Sequence, residues 1–140
     1  MRKPRVIHLD DHFLFSEGFK RCMKLHSISL FYLHFTFPAD ALRYITNCSD
    51  CDEKIDLVVT DFNHPGIDGY HFAREVRDIQ KNSLRSQVLM LTMAGPEKEL
   101  IARGIGERCF DHYFQKSAES AEIAEYVRRV VTYGSNPGNR

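Results

Sequence analysis

Five residues spread along this chain have side chains suited to one small reaction site. They are Asp10, Asp11, Asp61, Thr92 and Lys116. Each comes at the end of a short apolar run that predicts a β-strand, or just after one. In an open parallel α/β sheet, ligands bind at the carboxyl ends of the strands. These distant residues are therefore expected to converge into one acidic pocket with a single lysine.

Such a pocket is suited to moving a phosphoryl group onto a carboxylate. Adjacent carboxylates repel each other unless a cation lies between them, and Mg²⁺ (or Mn²⁺) prefers such oxygen ligands. Asp61 is then the candidate nucleophile, forming an acyl phosphate. The metal and the Lys116 ammonium would neutralise charge on the phosphoryl oxygens, and the Thr92 hydroxyl would donate to the bound group.

Each of these residues also has an ordinary structural interpretation when it is taken alone. An aspartate after a strand can cap a loop, Thr92 can be a strand residue, and Lys116 can be solvated. The joint pattern favours the functional interpretation, because residues of the required types follow four strands in the required order.

The segments that must position these residues alternate along the chain. Apolar runs typical of strands are separated by stretches with helical spacing, giving five β-α units. The runs are Val6–Leu9, Ile28–Phe35, Ile55–Thr60, Gln87–Thr92 and a shorter one near His112–Phe114. Right-handed crossovers favour a flavodoxin-like, doubly wound α/β fold, (βα)5, with a five-stranded parallel sheet in the order 2-1-3-4-5.

Two of these segments carry further expectations. The apolar and aromatic residues of Phe31–Phe35 predict a core strand that is covered on both faces. The fourth helix, around Pro96 to Ile105, is expected to be the weakest element. Gly104 and Gly106 each cost about 1 kcal/mol relative to alanine in a helix, so this segment is a candidate for conformational change.

Composition limits the class of protein. The chain has 140 residues, with 19 basic and 19 acidic side chains, so its net charge indicates neither a nucleic-acid nor a membrane partner. No apolar run reaches the length of a membrane span, which is about 18 residues or more. Four cysteines without a secretory signal predict reduced thiols and a cytoplasmic protein, with the Cys48–Cys51 C-x-x-C a coincidence. We expect one domain over residues 1–133 and a disordered tail at 134–140.

These motifs resemble the receiver domain of bacterial two-component response regulators, over about residues 4 to 132. The stretch from Asp10 to Gly18, DDHFLFSEG, is similar to the DDH-x-LF-x-EG opening of receivers attached to LuxR-type DNA-binding domains. The stretch from Asp61 to Gly69, DFNHPGIDG, matches the D-x-x-x-P-x-x-D-G phosphoacceptor loop of the family. Thr92, Lys116 and Tyr113 match its switch threonine, its lysine and its rotating aromatic residue.

The resemblance implies a role for each of these residues. Asp61 would accept a phosphoryl group from a histidine kinase or phosphotransfer protein. Asp11, Asp61 and the backbone carbonyl of Asn63 would bind Mg²⁺ directly, and Asp10 would bind it through water. The domain would be regulatory, and it would catalyse only its own phosphorylation and dephosphorylation.

The resemblance also implies how the signal leaves the site. On phosphorylation, Thr92 would move toward the phosphate and Tyr113 would turn inward. The face made by helix 4, strand 5 and helix 5 would then change its affinity for a downstream protein partner. A homodimer, through helix 1 with helix 5 or through the switch face, is also possible.

Several positions depart from the family pattern. Met93 stands where receivers usually have a small residue, and His64 stands where an apolar residue is more common. With Ala94, these residues are candidate modulators of access to the site. Ser117 replaces a frequent cis proline, so a trans Lys116–Ser117 peptide is expected, because a cis bond without proline costs about 2.5–4 kcal/mol.

Other functions stay open. Met93 and His64 suit a pseudo-receiver that binds proteins independently of phosphorylation. A phosphatase of the haloacid-dehalogenase type would need an acid where this chain has Asn63. The domain is either a stand-alone receiver or part of a longer LuxR-type regulator. Transition-metal binding by His12 or His64 is disfavoured against ordinary loop histidines, and His8 is expected to point into the packing of the sheet.

Overall fold

The computed structural model describes residues 3–92 and 98–133. Within these ranges, five strands form one parallel sheet in the order β2-β1-β3-β4-β5. The strands are β1 (Arg5–Leu9), β2 (Phe31–Phe35), β3 (Leu57–Asp61), β4 (Gln87–Thr92) and β5 (His112–Gln115). The helices are α1 (Phe13–Leu25), α2 (Pro38–Asp50), α3 (Gly69–Ile79), α4 (Lys98–Gly106) and α5 (Ser120–Tyr133), with a 3-10 turn at Asn82–Leu84. The predicted flavodoxin-like fold is confirmed.

The register of the sheet brings the strand ends to one edge. Leu9 of β1 lies opposite Phe35 and Thr60, Asp61 of β3 lies opposite Leu91, and Thr92 of β4 lies opposite Gln115. The residues at or just after these ends therefore lie along the same edge, as the sequence pattern requires.

Helices cover both faces of the sheet, which explains the continuous apolar runs. All five residues of β3 are buried. Val58 packs in the cluster that includes α2 and α3, whereas Leu57 and Val59 pack in the cluster that includes α1 and α5. A strand buried on both faces needs apolar side chains in both directions.

The structure corrects the extent of two predicted strands. Ile28 and Ile55 are buried, but both precede the paired residues of their strands. Ile28 belongs to the turn after α1, where its N–H donates to the Met23 carbonyl oxygen at 2.9 Å. These two side chains are apolar because they are buried against the sheet. A sequence pattern alone does not distinguish such burial from pairing within a strand.

The expectation that β2 is a core strand is wrong, although Leu33 and Phe35 pack against one core cluster and Tyr32 packs against the other. Strand β2 lies at the edge of the sheet, its residues are half-buried or exposed, and 47% of the Phe31 surface is exposed. Aromatic residues suit a half-buried, pleated surface as well as a core.

Helix α4 is placed near the predicted segment, at Lys98–Gly106. Pro96, and the predicted tail at residues 134–140, lie outside the described residues. A Cβ atom on Gly104 would stand 2.0 Å from Phe110 Cε1, so only glycine allows this approach. Gly106 has no such neighbour within 4 Å. The two glycines that weaken α4 therefore differ, since only Gly104 is required by packing.

No helix in the described part of the chain has the length and apolar character needed to cross a bilayer.

Candidate functional site

The acidic residues lie together at the carboxyl ends of two neighbouring strands. Asp10 follows β1 directly, and Asp61 is the last residue of β3. Both are buried, whereas the Asp11 side chain is 28% exposed. Local N–H groups orient the carboxylates, because Asp10 Oδ1 accepts from the backbone of His12 at 2.7 Å and Asp61 Oδ1 from that of Asn63 at 3.2 Å.

Lys116 supplies a positive charge to this pocket. It follows β5, and its backbone N–H donates to the Thr92 carbonyl oxygen at 2.8 Å. Its Nζ lies 3.2 Å from Asp61 Oδ2 and 3.4 Å from Asp10 Oδ2. The ammonium also lies 4.5 Å from the centre of the Phe15 ring, within cation–π range. A mostly buried cation between two buried carboxylates offsets their repulsion.

The remaining predicted residues surround the pocket on different elements. Thr92 is buried at the end of β4, and Asn63 lies in the loop after β3. Tyr113 lies on β5 opposite Met90 and is 41% exposed. Met93 and Ala94 lie outside the described residues.

His64 is part of the loop structure and does not join the acidic group. It is buried, its Nε2–H donates to the Thr36 carbonyl oxygen at 2.7 Å, and its Nδ1 accepts from the Gly66 N–H at 3.0 Å. Both ring nitrogens therefore have partners, and the ring connects the loop after β3 to the loop after β2. The interpretation of His64 as an ordinary loop histidine is confirmed.

A network of one buried imidazole and two half-buried ring side chains lies beneath the acidic pocket. His8 is fully buried, as expected, and its Nδ1 is 2.6 Å from the Tyr32 hydroxyl oxygen. His34 Nε2 is 2.7 Å from the Asp10 carbonyl oxygen. Burial lowers the pKa of His8 to about 3, with His34 and Lys116 acting in the same direction. It also raises the pKa of Tyr32. His8 is therefore neutral, and the network fixes the backbone and surroundings of Asp10.

The His12 side chain lies directly beside the acidic group. Its Nδ1 is 3.2 Å from Asp11 Oδ1, 3.3 Å from Asp10 Oδ1 and 4.0 Å from Asp61 Oδ2. One ligand atom from each of these four residues lies within 4.8 Å of the other three. His12 is a loop histidine, as expected, but its Nδ1 also lies close enough to the three carboxylates to share a metal ion with them.

The relation of this chain to known proteins agrees with this geometry. Its sequence matches the family model of the response regulator receiver domain over residues 6–128. The chain belongs to this family. Receiver domains are regulatory signalling modules, which agrees with the expectation of a regulatory domain. A search of curated proteins finds no significant match.

Solved structures similar to this receiver domain come from diverse organisms. One is the signal receiver domain of the response regulator NarL from Mycobacterium tuberculosis, at 25% identity and a TM-score of 0.72, covering 94% of this chain and 98% of that one. A CheY-like receiver from Methanospirillum hungatei JF-1 is 15% identical, with a TM-score of 0.74 and coverage of 95% and 97%. The Legionella pneumophila response regulator LqsR is 21% identical, with a TM-score of 0.70; 94% of this chain is covered, but only 45% of LqsR. These similarities support the fold, but they do not assign the chain to one subgroup of receivers.

The chemistry of the pocket fits a divalent cation. Asp11 Oδ1 is a buried oxygen without a hydrogen-bond partner among the described residues. Its distance of 3.2 Å from His12 Nδ1 is short, but the two atoms are not aligned as a hydrogen bond. An unpartnered buried carboxylate oxygen is costly. A cation between Asp10, Asp11 and Asp61 would remove this cost and reduce the repulsion between the three acids.

Sequence reasoning missed the residues that support the pocket from below. Tyr32 and His34 lie on β2, and His34 stands directly opposite His8 in the register of β1 and β2. The available signal was the presence of imidazoles at matching positions of two strands that were predicted to pair. That signal becomes specific only when the register is known.

Proposed function

We propose that this receiver domain accepts a phosphoryl group on Asp61 from a histidine kinase or phosphotransfer protein, in a reaction that depends on Mg²⁺. The observation that carries the proposal is the 3.2 Å contact between Asp61 Oδ2 and Lys116 Nζ in a buried pocket. This contact places an anionic nucleophile beside the cation that can stabilise the transferred group.

The acids of the pocket would hold the divalent cation. Asp11 and Asp61 supply carboxylate oxygens, the Asn63 backbone carbonyl is the expected third protein ligand, and Asp10 acts through water. When bound, the cation would neutralise charge on the phosphoryl oxygens.

The proposed step is a displacement at phosphorus. An oxygen of Asp61 forms the new O–P bond while the P–N bond of the donor phosphohistidine breaks. The donor imidazole, protonated on its other nitrogen, leaves as a neutral ring. Lys116 keeps its proton throughout and offsets the negative charge on the phosphoryl oxygens.

The proposed conformational switch involves residues on the elements next to Asp61. Thr92 is buried at the same edge of the sheet as Asp61, and its hydroxyl is the proposed donor to the phosphoryl group. Tyr113 starts from an exposed position on β5. Its inward rotation would change the face made by α4, β5 and α5, and with it the affinity for a downstream protein or a second copy of the chain.

The opening motif from Asp10 to Gly18 supports a narrower proposal, that this is a receiver of the LuxR-type group. The proposed folded domain covers residues 1–133.

Intact-protein mass spectrometry after incubation with acetyl phosphate and Mg²⁺ tests the acceptor. We expect a single phosphoryl adduct in the wild type and none in Asp61→Asn, which keeps the size of the side chain. Asp68→Asn is the matched control, since Asp68 is an aspartate of the same loop that caps α3 by accepting from the His71 N–H at 2.8 Å. An asparagine retains that capping ability.

Two results would contradict the proposal. An adduct that persists in Asp61→Asn would place the acceptor elsewhere. No adduct in the wild type, either with acetyl phosphate or with a histidine kinase as donor, would overturn acceptor chemistry. Met93→Ala distinguishes restricted access from an inactive site, because a smaller residue would restore labelling by acetyl phosphate only in the first case.

A further inference from the structure

We propose that His12 is an additional metal ligand of the acidic pocket, giving this receiver domain a greater preference for first-row transition-metal ions such as Mn²⁺ over Mg²⁺. The inference rests on the proposed function, in which a divalent cation binds there. It adds an imidazole to a ligand set that otherwise consists of oxygen atoms.

The distances around His12 Nδ1 are those between ligands of one metal ion. Metal–ligand bonds of about 2.0–2.2 Å place neighbouring ligand atoms about 3.0–3.4 Å apart and opposite ones about 4 Å apart. His12 Nδ1 lies 3.2 Å from Asp11 Oδ1, 3.3 Å from Asp10 Oδ1 and 4.0 Å from Asp61 Oδ2. All three distances fit a shared centre.

The position of the imidazole is determined by the backbone. The His12 N–H donates to Asp10 Oδ1 at 2.7 Å, and its carbonyl oxygen accepts from the Phe15 and Ser16 N–H groups at 3.0 and 3.2 Å. His12 is thus the N-cap residue of α1, with an extended backbone. Although the side chain is 66% exposed, its Cβ is held at the mouth of the pocket.

Hydrogen bonding alone does not account for the arrangement. Nδ1 is at hydrogen-bond distance from Asp10 Oδ1, 3.3 Å, but it faces oxygens of three carboxylates and can give one proton to only one of them. Asp11 Oδ1 has no hydrogen-bond partner among the described residues, despite its nearness to Nδ1. A cation can accept lone pairs from the nitrogen and from the carboxylates at the same time.

Most ring nitrogens of the neighbouring histidines contact other groups. His8 Nδ1 contacts Tyr32, His34 Nε2 contacts the Asp10 carbonyl oxygen, and both nitrogens of His64 have backbone partners. His8 Nε2 lies 3.8 Å from Asp10 Oδ2 and has no hydrogen-bond partner among the described residues, so a nitrogen signal is assigned to His12 by its loss in His12→Ala.

Pulsed electron paramagnetic resonance of bound Mn²⁺ tests this directly, because it detects nitrogen coupled to the ion. The probe is Mn²⁺ alone, added to the wild type, His12→Ala and His71→Ala. His71 is the matched control: it is also exposed and pairs with an aspartate, at 2.8 Å from Asp68 Oδ1, outside the acidic group. We expect an imidazole coupling in the wild type and His71→Ala, and its loss in His12→Ala.

Affinities provide the second readout. Carboxylate, carbonyl and water ligands suit both Mg²⁺ and Mn²⁺. A difference between the two ions would come from the imidazole, because the hard Mg²⁺ ion takes oxygen ligands. His12→Ala should therefore weaken Mn²⁺ binding on the order of tenfold and change Mg²⁺ binding much less. Unfolding without metal should be unchanged, because the side chain is exposed.

Each result has a defined meaning. Mn²⁺ that binds in competition with Mg²⁺ but shows no nitrogen coupling overturns the role of His12 and leaves phosphoryl acceptance on Asp61 intact. An equal loss of Mn²⁺ and Mg²⁺ affinity in His12→Ala also overturns it. Absence of both ions from the wild type overturns this inference together with the metal dependence of the proposed function.

Discussion

The two walls of the acidic pocket are supported in different ways. The acid wall, formed by β1 and β3 with Asp10 and Asp61, is held directly beneath the pocket by the contacts of His8 with Tyr32 and of His34 with the Asp10 carbonyl oxygen. The switch wall, formed by β4, α4 and β5, has a mostly buried ion pair at the opposite end of the strands. There, Arg77 of α3 reaches Asp111 at 2.7 Å, just before β5.

This difference indicates where movement is possible. At the carboxyl end of the switch wall, Tyr113 is largely exposed, and α4 has nine residues including two glycines. Lys116, directly after β5, contacts both Asp10 and Asp61, so a new charge in the pocket would act on the carboxyl end of β5. We therefore expect the acid wall to keep its geometry on phosphorylation while the switch wall changes.

The largest expected effect on stability comes from the ion pair at the amino end of β5 in the switch wall. Arg77→Ala should destabilise the domain by about 3 kcal/mol, because it leaves the mostly buried Asp111 carboxylate without its cation. Urea unfolding followed by circular dichroism measures this change. Arg74→Ala, an exposed arginine on the same helix, should cost less than about 1 kcal/mol. Equal effects would show that the Arg77 contact is not a specific anchor.

The next effect concerns the support beneath the acid wall. Tyr32→Phe removes the hydroxyl at 2.6 Å from His8 Nδ1 and should lower the free energy of unfolding by about 1–3 kcal/mol, since a buried imidazole nitrogen loses its partner. Tyr113→Phe, on the switch wall, should change it by less than about 0.5 kcal/mol. If both variants behaved alike, the proposed contrast in support between the walls would fail.

Alanine substitutions at the two glycines of α4 should change the free energy of unfolding in opposite directions. Gly104→Ala would place a methyl group 2.0 Å from Phe110 Cε1 and should destabilise the domain by about 1–2 kcal/mol, even after the gain in helix propensity. Gly106→Ala meets open space and should stabilise it by up to about 1 kcal/mol. Thermal unfolding of both variants checks the signs. A stabilising Gly104→Ala would contradict the close packing of α4 on Phe110.

The smallest expected effect tests the repulsion between the clustered carboxylates of the acidic pocket. Asp11→Asn should stabilise the domain in EDTA by about 0.5–1 kcal/mol, because one of three clustered carboxylates is neutralised. The same variant should lose most of the stabilisation that Mg²⁺ gives the wild type, measured as a shift in Tm. Asp52→Asn, on an exposed aspartate paired with Lys81, should retain that shift. A destabilised Asp11→Asn in EDTA would contradict this account.

Much of the fold was predictable because its signals are local. Apolar runs predict the strands, and the parallel topology places Asp10, Asp61 and Lys116 at one edge without knowledge of any contact. The placement of Asp11 follows from its neighbour. The roles assigned to these residues, and to Thr92, Tyr113 and Asn63, stay predictions.

The rest depends on tertiary contacts that the sequence does not specify. The pairing of His8 with Tyr32 requires the register between β1 and β2. The need for Gly104 requires the approach of Phe110, which follows α4 in the chain. The position of His12 depends on the direction in which its side chain leaves the N-cap of α1. In each case, the type and spacing of the residues can be read from the sequence, but the residue that each one contacts cannot.

The contact between Lys116 and Asp10 has a consequence for the synthesis of the protein. It joins residues 106 positions apart, with the lysine on the segment that follows the last strand. A nascent chain that has not yet released β5 from the ribosome can hold the three aspartates but lacks their cation. Domains generally fold as units during translation, once the segments that complete them are available. The proposed ability to accept a phosphoryl group should therefore appear late, only after nearly the whole domain has been translated.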